Sequence, residues 1–186
     1  DDDGTPDGQS LFRNVRVYEP AQPREVTFDA GNLDPFHNQD NNPVLVEVTD
    51  GGATLRMLGN TWKSMDYAYR VTPNTVIEFD FLGVTEGEEH AIGFDDNNNL
   101  SQEYYFQLYG TQDTNAIGEF EDYAASAGQW KHYTIPVGRF YSGNFDRLVF
   151  ANDHDVSAPD AECYFSNLRI YEIATPHALN FDEVAI

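Results

Sequence analysis

The feature that most constrains the fold of this sequence is a set of short segments in which apolar and polar residues alternate. In Ile77-Glu78-Phe79-Asp80-Phe81 the apolar residues hold the odd positions and the carboxylates hold the even ones. Successive side chains of a β-strand point to opposite faces of the sheet. The alternation therefore predicts a strand with one face in a core and one acidic face.

Similar segments recur along the chain, rich in β-branched and aromatic residues and bounded by Gly, Asn, Asp or Pro. No stretch has a convincing helical period, and Ala124–Ala127 is expected to be a loop or a single turn. Strands at this spacing predict an all-β fold, an antiparallel two-sheet β-sandwich of the jelly-roll kind. The predicted strands are Val44–Val48, Thr54–Leu58, Met65–Val71, Val76–Leu82, His90–Phe94, Tyr104–Tyr109, Trp130–Val137, Arg147–Ala151 and Tyr164–Tyr171.

The two ends of the chain repeat each other. Residues 1–33 align without gaps with residues 154–186, and 12 of those 33 positions are identical. This predicts a parent protein of tandem units, each 153 residues long by the shift 154 − 1. Residues 1–23 would then end a preceding repeat or form a linker with a spare strand, Leu11–Glu19. Residues 24–172 would form one module, and residues 173–186 a linker and the start of the next repeat; a strand pattern recurring within one sandwich is the alternative.

The net charge of the chain excludes some classes of binding partner. It has 10 basic and 32 acidic residues, for a formal net charge of −22. Such a surface repels nucleic acid and anionic membranes, so neither is an expected partner. A saline, marine habitat or binding of hard cations such as Ca²⁺ would each account for the excess of carboxylates. Cys163 is the single cysteine, so no internal disulfide forms, and no apolar run reaches the length of a membrane helix.

Several segments resemble carbohydrate-binding modules of the jelly-roll type, found in secreted or cell-surface proteins of marine bacteria that degrade polysaccharides. They are Leu58–Lys63, Val71–Phe81, Ile92–Asp95, Trp130–Val137 and Phe165–Ile170. The resemblance implies two sheets, often a structural Ca²⁺, and a sugar site on the concave sheet face or on the loops at one edge. The closing strand of such modules often has an Asp where this chain has Asn167, which weakens that position as a calcium ligand.

Two loops are rich in oxygen ligands of the kind that Ca²⁺ requires. One contains Asp95, Asp96 and Asn97, and the other contains Asn152, Asp153 and Asp155; Asn167 is a further candidate. A shared Ca²⁺ would contact sugar hydroxyls or hold the structure together, and solvated turns are the alternative to both. Near the start of the module lies a lower-ranked group, namely Asp29, Asp34, Asp40 and Asn42.

Sugar rings stack on aromatic planes while their hydroxyl groups meet planar polar side chains. The expected sugar-binding residues are Trp62, Tyr67, Tyr69, Arg70, Tyr105, Gln107 and Tyr109, with Tyr104 as a further candidate. Alternation places Tyr67 with Tyr69 on one face, and Tyr105 with Gln107 and Tyr109 on another. Trp130, which opens a strand, is expected to be buried instead.

An enzyme is not expected. Glu78 and Asp80 resemble a glycosidase strand, but Leu82 stands where a second Glu would be required, so both are interpreted as solvent-facing or calcium-linked. No nucleophile elbow is present and the His residues are scattered. The sequence therefore predicts a secreted, calcium-dependent, non-catalytic module that binds a polysaccharide. The alternative is a calcium-rigidified adhesion repeat whose partners are neighbouring copies of the same module.

Overall fold

The computed structural model describes residues 23–174 and the backbone of Arg16–Val17 and His177–Ala178. The strands are β1 (Arg16–Val17), β2 (Arg24–Glu25), β3 (Leu33–Pro35), β4 (Asn42–Thr49), β5 (Thr54–Val71), β6 (Thr75–Thr85), β7 (Glu89–Asp95), β8 (Tyr105–Tyr109), β9 (Lys131–Ile135), β10 (Gly143–Asp153), β11 (Glu162–Glu172) and β12 (His177–Ala178). The helices are short 3₁₀ turns at Ala30–Asn32, Asp50–Gly52, Gln102–Tyr104, Gly118–Phe120, Tyr123–Ser126 and Val137–Arg139. None of these described helices has the length and apolar content needed to cross a membrane.

Ten of the strands form one hydrogen-bonded antiparallel sheet that folds over on itself. We call the first layer the front sheet: it has the order β4-β5-β11-β6-β9, and β2 pairs with the far end of β11. The second layer, the back sheet, has the order β3-β5-β10-β7-β8. The fold is thus the predicted all-β sandwich.

The long strand β5 joins the two layers. Residues 54–60 pair with β4 in the front sheet, and residues 61–71 pair with β10 in the back sheet. The sequence analysis predicts two strands here, Thr54–Leu58 and Met65–Val71, separated by residues 59–64, whereas the structure has one. Gly59 lies in β5 with φ +95°, and a Cβ at this position would lie 2.7 Å from the Val44 nitrogen. Glycine adopts this backbone freely and leaves room for β4, so the strand crosses between layers without ending.

The core lies between the inner faces of the two sheets. Phe79, Phe81 and Phe165 of the front sheet are buried with Phe94 and Phe150 of the back sheet. The rings of Phe150 and Phe165 are 5.4 Å apart and nearly edge to face, which is a favourable arrangement for aromatic rings. The odd-numbered positions of Ile77–Phe81 are the buried ones, as the alternation predicts.

The outer face of the back sheet is covered. Phe36, from the segment between β3 and β4, packs in a second buried cluster with Trp62 and Tyr105. Asp40 holds this segment in place because it accepts hydrogen bonds from the Thr61 hydroxyl at 2.7 Å and from the Lys63 ammonium at 2.6 Å. Around Trp62 and Tyr105, therefore, this part of the back sheet is closed to a ligand by the described residues.

The predicted spare strand Leu11–Glu19 lies largely outside the described residues. Arg16–Val17 pairs antiparallel with His177–Ala178, in a two-stranded sheet separate from the sandwich. The tandem-repeat organisation stays a prediction.

Candidate functional site

A row of side chains crosses the outer face of the front sheet, with one residue each from β4, β5, β11 and β6 and one from the position just before β9. Tyr164 of β11 is the register partner of Leu82 in β6 on one side and of Arg56 in β5 on the other. Arg56 is in turn the register partner of Glu47 in β4. The register of β6 and β9 pairs Phe81 with Lys131, and its continuation by one residue places Trp130 opposite Leu82. We call Trp130, Leu82, Tyr164, Arg56 and Glu47 the exposed row.

The aromatic members of the exposed row stand close to each other and to the solvent. The rings of Trp130 and Tyr164 have centroids 6.2 Å apart, and Trp130 is 51% exposed. Val84, two residues from Leu82 in β6, is 53% exposed. Apolar groups that lie exposed together on one face often mark a binding surface, whereas single scattered ones are normal on any protein.

Arg56 is held in a fixed orientation beside these rings. Its guanidinium lies over the Tyr164 ring, 5.6 Å from the centroid, and forms an ion pair with Glu162 at 2.9 Å. The Tyr164 hydroxyl donates to the same Glu162 carboxylate at 2.8 Å. Burial and this hydrogen bond raise the pKa of Tyr164. The row thus combines apolar planes with fixed hydrogen-bond donors.

The exposure of Trp130 corrects the expectation that it is buried. The strand that follows begins at Lys131, so Trp130 precedes β9, at the edge of the front sheet. The alternation in β9 sends Tyr133 and Ile135 into the core and His132 and Thr134 outward, and Trp130 shares the outward register. Trp130 is three positions before the buried Tyr133, and an odd number of positions along an alternating strand leads to the opposite, outward face.

The sugar-binding platform expected on the back sheet does not form. Trp62, Tyr105 and Gln107 are at most 2% exposed, so no sugar ring can reach them. Phe36 packs over Trp62 and Tyr105, and Gln107 is hydrogen-bonded to Gln112, Thr114 and Glu121 of the segment after β8. The strands that carry the two predicted aromatic sets, β5 and β8, are separated by β10 and β7. The two sets therefore do not meet.

The remaining members of that predicted platform are also dispersed. Tyr67 and Tyr69 do share a face, with rings 6.0 Å apart, but they pack against the main core, as do Tyr104 and Tyr109. Arg70 is exposed and lines a groove between the β5–β6 turn and the start of β10.

The two oxygen-rich loops do not converge on one metal. Strands β7 and β10 are antiparallel neighbours, with Asp95 opposite Arg147 and Glu89 opposite Asp153. Six residues therefore separate the loops along β7, about 20 Å at the usual strand rise. Asp95 is buried and accepts from the Tyr105 hydroxyl and from the backbone N–H of Asn97, whereas Asp96 is exposed.

The loop after β10 has another acidic partner. Among residues 23–174, the carboxylates of Glu88, Asp153 and Asp155 are the group whose oxygens all lie within 4.8 Å of one another. Burial, with the charges of Asp155 and Glu88, raises the pKa of Asp153. The sequence does not predict a metal-binding role for Glu88, because the run Glu86-Gly87-Glu88-Glu89 leading into β7 has the composition of an ordinary acidic turn.

The other metal candidates have separate roles. Asn152 is buried and donates to the carbonyl oxygens of Gly59 and Ala161. Asn167 lies on the front sheet, where its amide donates to Asp80 at 2.7 Å. In the lower-ranked group, Asp40 binds Lys63, and Asp29 caps the turn at Gly31, so this group does not gather around one point. Asp34 is exposed in β3, and Asn42 begins β4.

A family model described as carbohydrate binding domain 30 (CBM30) matches residues 21–172. The chain belongs to this family. The resemblance to jelly-roll carbohydrate-binding modules is thereby confirmed, and the CBM30 match covers all of the predicted module 24–172. No curated protein matches the chain.

Solved structures similar to this CBM30 chain include carbohydrate-binding modules of families 30, 29 and 4. A family 30 module is 19% identical, with coverage of 87% of this chain and 96% of that one and a TM-score of 0.36. A family 29 module from Piromyces equi is 13% identical, with coverage of 87% and 91% and a TM-score of 0.39. A family 4 module is 8% identical, with coverage of 80% and 94% and a TM-score of 0.46.

Proposed function

We propose that this chain binds a polysaccharide through the exposed row of the front sheet and performs no catalysis on it. The observation that carries the proposal is the half-exposed Trp130 ring beside Tyr164, on the sheet face that no other described segment covers. The C–H faces of a pyranose stack on such planes, and fixed polar groups orient its hydroxyls. Arg56, with Glu162 behind it, supplies those polar groups.

The exposed row is wide enough for a polysaccharide chain to lie across it. The row crosses five strands, and four interstrand spacings of about 4.8 Å make it roughly 19 Å long. Carboxylates stand at its end and beside it, in Glu47 and Glu162, and the whole chain has a net charge of −22. These charges repel a polyanion, so the proposed ligand is a neutral polysaccharide.

The test is affinity electrophoresis through gels with neutral or acidic soluble polysaccharides, followed by calorimetric titration of any polymer that retards the protein. Trp130→Ala and Tyr164→Ala should each weaken binding by roughly 10- to 150-fold, from about 1.5 to 3 kcal/mol of lost apolar contact. Arg70→Ala is the matched control, because Arg70 is exposed on the back sheet.

Three results would count against this assignment. Full binding by Trp130→Ala would show that the front face is not the site, and loss of binding in Arg70→Ala would favour the back sheet. No retardation on any polymer would favour the second candidate function, an adhesion repeat. The repeated chain ends favour that alternative.

We propose further that Ca²⁺ binds between Glu88, Asp153 and Asp155 in a structural role. Three carboxylates so close together repel one another, and a divalent cation relieves that repulsion. Glu89, opposite Asp153 in the ladder, is 1% exposed and its Oε1 has no hydrogen-bond partner among the described residues. Asp153 accepts a hydrogen bond from the Trp62 indole on the back sheet, and it is not part of the exposed row. The ion would therefore stabilise the fold without touching sugar.

Chelation tests this ion directly. Added Ca²⁺ at about 100 times its dissociation constant should stabilise the wild type by about 2.7 kcal/mol, and EDTA should reverse the rise in melting temperature. Asp155→Asn should abolish the effect, while Asp96→Asn, in the other predicted loop, should retain it. An unchanged melting temperature, or loss of the effect in Asp96→Asn alone, would refute the site. Glycan binding that survives EDTA would separate a structural ion from a sugar-contacting one.

We also propose that the module directs a larger secreted or cell-surface protein to its glycan. The family supplies the binding role, and the repeated ends suggest a parent protein with further units. Fractionation of the source cells with an antibody to this module tests it. Antigen confined to the cell interior would contradict secretion.

A further inference from the structure

A cluster of polar side chains lies next to the exposed row on the same face of the front sheet. Asp80 is two residues from Leu82 in β6, and His132 of β9 is two residues after Trp130, which precedes that strand. Two residues along a strand correspond to about 7 Å, and they return to the same face. Glu78, Asn167 and Arg169 lie beside them, and we call these five residues the polar cluster.

Hydrogen bonds and ion pairs hold the polar cluster together. His132 contacts Asp80 at 2.8 Å through Nδ1 and Glu78 at 3.5 Å through Nε2. Asn167 donates its amide N–H to Asp80 at 2.7 Å, and Arg169 lies 3.7 Å from Glu78. Glu78 also accepts from the Tyr171 hydroxyl at 3.0 Å. Each carboxylate therefore has partners from both neighbouring strands, so the side chains are oriented before any ligand arrives.

An irregularity in β11 brings Asn167 onto this face. The register between β11 and β6 shifts between Ser166 and Arg169, and Asn167 has φ +54°. Its backbone N–H donates to the Ala53 carbonyl at 3.0 Å, outside the ladder. Bulges of this kind re-aim a side chain and are common beside functional sites, and a non-glycine residue in the left-handed region costs stability.

The polar cluster is accessible. The His132 side chain is 55% exposed and that of Arg169 is 41% exposed, while the two carboxylates are largely shielded behind them. A recess of about 160 Å³ borders the cluster and is lined by Asn167 and Arg169 together with Gly51–Ala53. An oriented polar group with an exposed edge and adjacent space can hydrogen-bond a ligand at little cost in ordering entropy.

We propose that the polar cluster is a second sugar subsite, which binds the hydroxyl groups of a ring adjacent to the one stacked on the exposed row. This inference rests on the proposed function. Trp130 and Tyr164 supply affinity with little regard to configuration, because every pyranose has a C–H face. His132 and Asn167 touch the hydroxyl groups, Asp80 and Glu78 position them, and the pair of contacts selects the sugar configuration.

The variants are Asn167→Gly and His132→Ala, each measured by calorimetric titration. Glycine accepts a positive φ without strain, so Asn167→Gly removes the amide and leaves the bulge intact. The ligands are neutral oligosaccharides of matched length in gluco, manno and galacto configuration, together with a shorter one that spans a single row. Arg70→Ala is again the exposed control on the back sheet.

Each cluster variant should weaken binding of the preferred long oligosaccharide about 3- to 10-fold, the effect of one hydrogen bond. The preference among configurations should shrink, while binding of the short oligosaccharide and the melting temperature should hardly change. Unchanged affinity and selectivity would refute the second subsite, and an equal loss for all sugars with a lower melting temperature would show a structural role only. If Trp130→Ala also binds normally, the proposed function itself fails, whereas loss of binding in Trp130→Ala alone would refute only the second subsite.

Discussion

Removal of the Asp40 carboxylate should destabilise the protein strongly without altering glycan binding. Asp40 lies 2.6 Å from the Lys63 ammonium, with side-chain exposures of 3% and 11%. The same carboxylate accepts from the Thr61 hydroxyl and the Trp62 backbone N–H. Asp40→Asn leaves a shielded ammonium without its counter-charge, and the loss of one partner of a buried pair costs about 3 to 5 kcal/mol.

Urea denaturation at pH 7 measures this cost. With an m-value of about 2 kcal/mol/M, the midpoint of Asp40→Asn should fall by about 1.5 to 2.5 M. The double variant Asp40→Leu/Lys63→Met replaces the pair by apolar groups of similar size and should recover most of the loss. Because Asp40 lies behind the back sheet, folded Asp40→Asn should bind glycan as the wild type does.

A fall of less than 1 kcal/mol, of the size typical of a surface ion pair, would show that the pair is solvated and that our account of the covered back sheet is wrong. A double variant as unstable as the single one would show that hydrogen bonds to Thr61 and Trp62, and not the charge of Lys63, make the difference.

Three further predictions concern other positions. Burial raises the pKa of Asp95 in the folded chain. The free energy of unfolding should therefore fall as the pH rises from the pKa of the unfolded chain, about 3.9, through the pKa of the folded chain. Urea titrations at several pH values should show that Asp95→Asn lacks this part of the fall. Gly59→Ala should lower stability by about 1 to 3 kcal/mol in thermal unfolding, through its positive φ and its clash with Val44, and a neutral result would exclude the close approach of β4. Cys163 is buried, which raises its thiol pKa well above its usual value; it should react with a thiol reagent only under denaturing conditions, and rapid native labelling would contradict the core.

Much of the fold was predictable because its signal is local. Alternation in Ile77–Phe81 assigned the buried and exposed positions of β6 correctly. Most predicted strands differ from the observed ones only at their ends: Arg147–Ala151, for example, extends to Gly143–Asp153. The continuous strand β5 was not predictable, since Gly59 and Asn60 have the composition of a turn, and only pairing with β4 and β10 keeps the chain extended there.

The site was less predictable than the fold. Tyr105 opens β8 and Trp130 immediately precedes β9, yet one is 1% exposed and the other 51%. The difference arises from the segment with Phe36, which covers the back sheet and leaves the front sheet open. Likewise, Glu88 lies close to Asp153 because the start of β7 pairs with the end of the antiparallel strand β10. The two residues are far apart in the chain, so no local pattern predicts their contact.

The sequence alone determined the all-β class, the two-faced strands and the acidic surface, because these depend on the alternation and composition of neighbouring residues. The tertiary structure decided which outer face stays open, which aromatic rings reach solvent and which carboxylates meet. Those outcomes depend on the order of strands in each sheet and on the path of the connecting segments. Both are set by contacts between residues far apart in the chain.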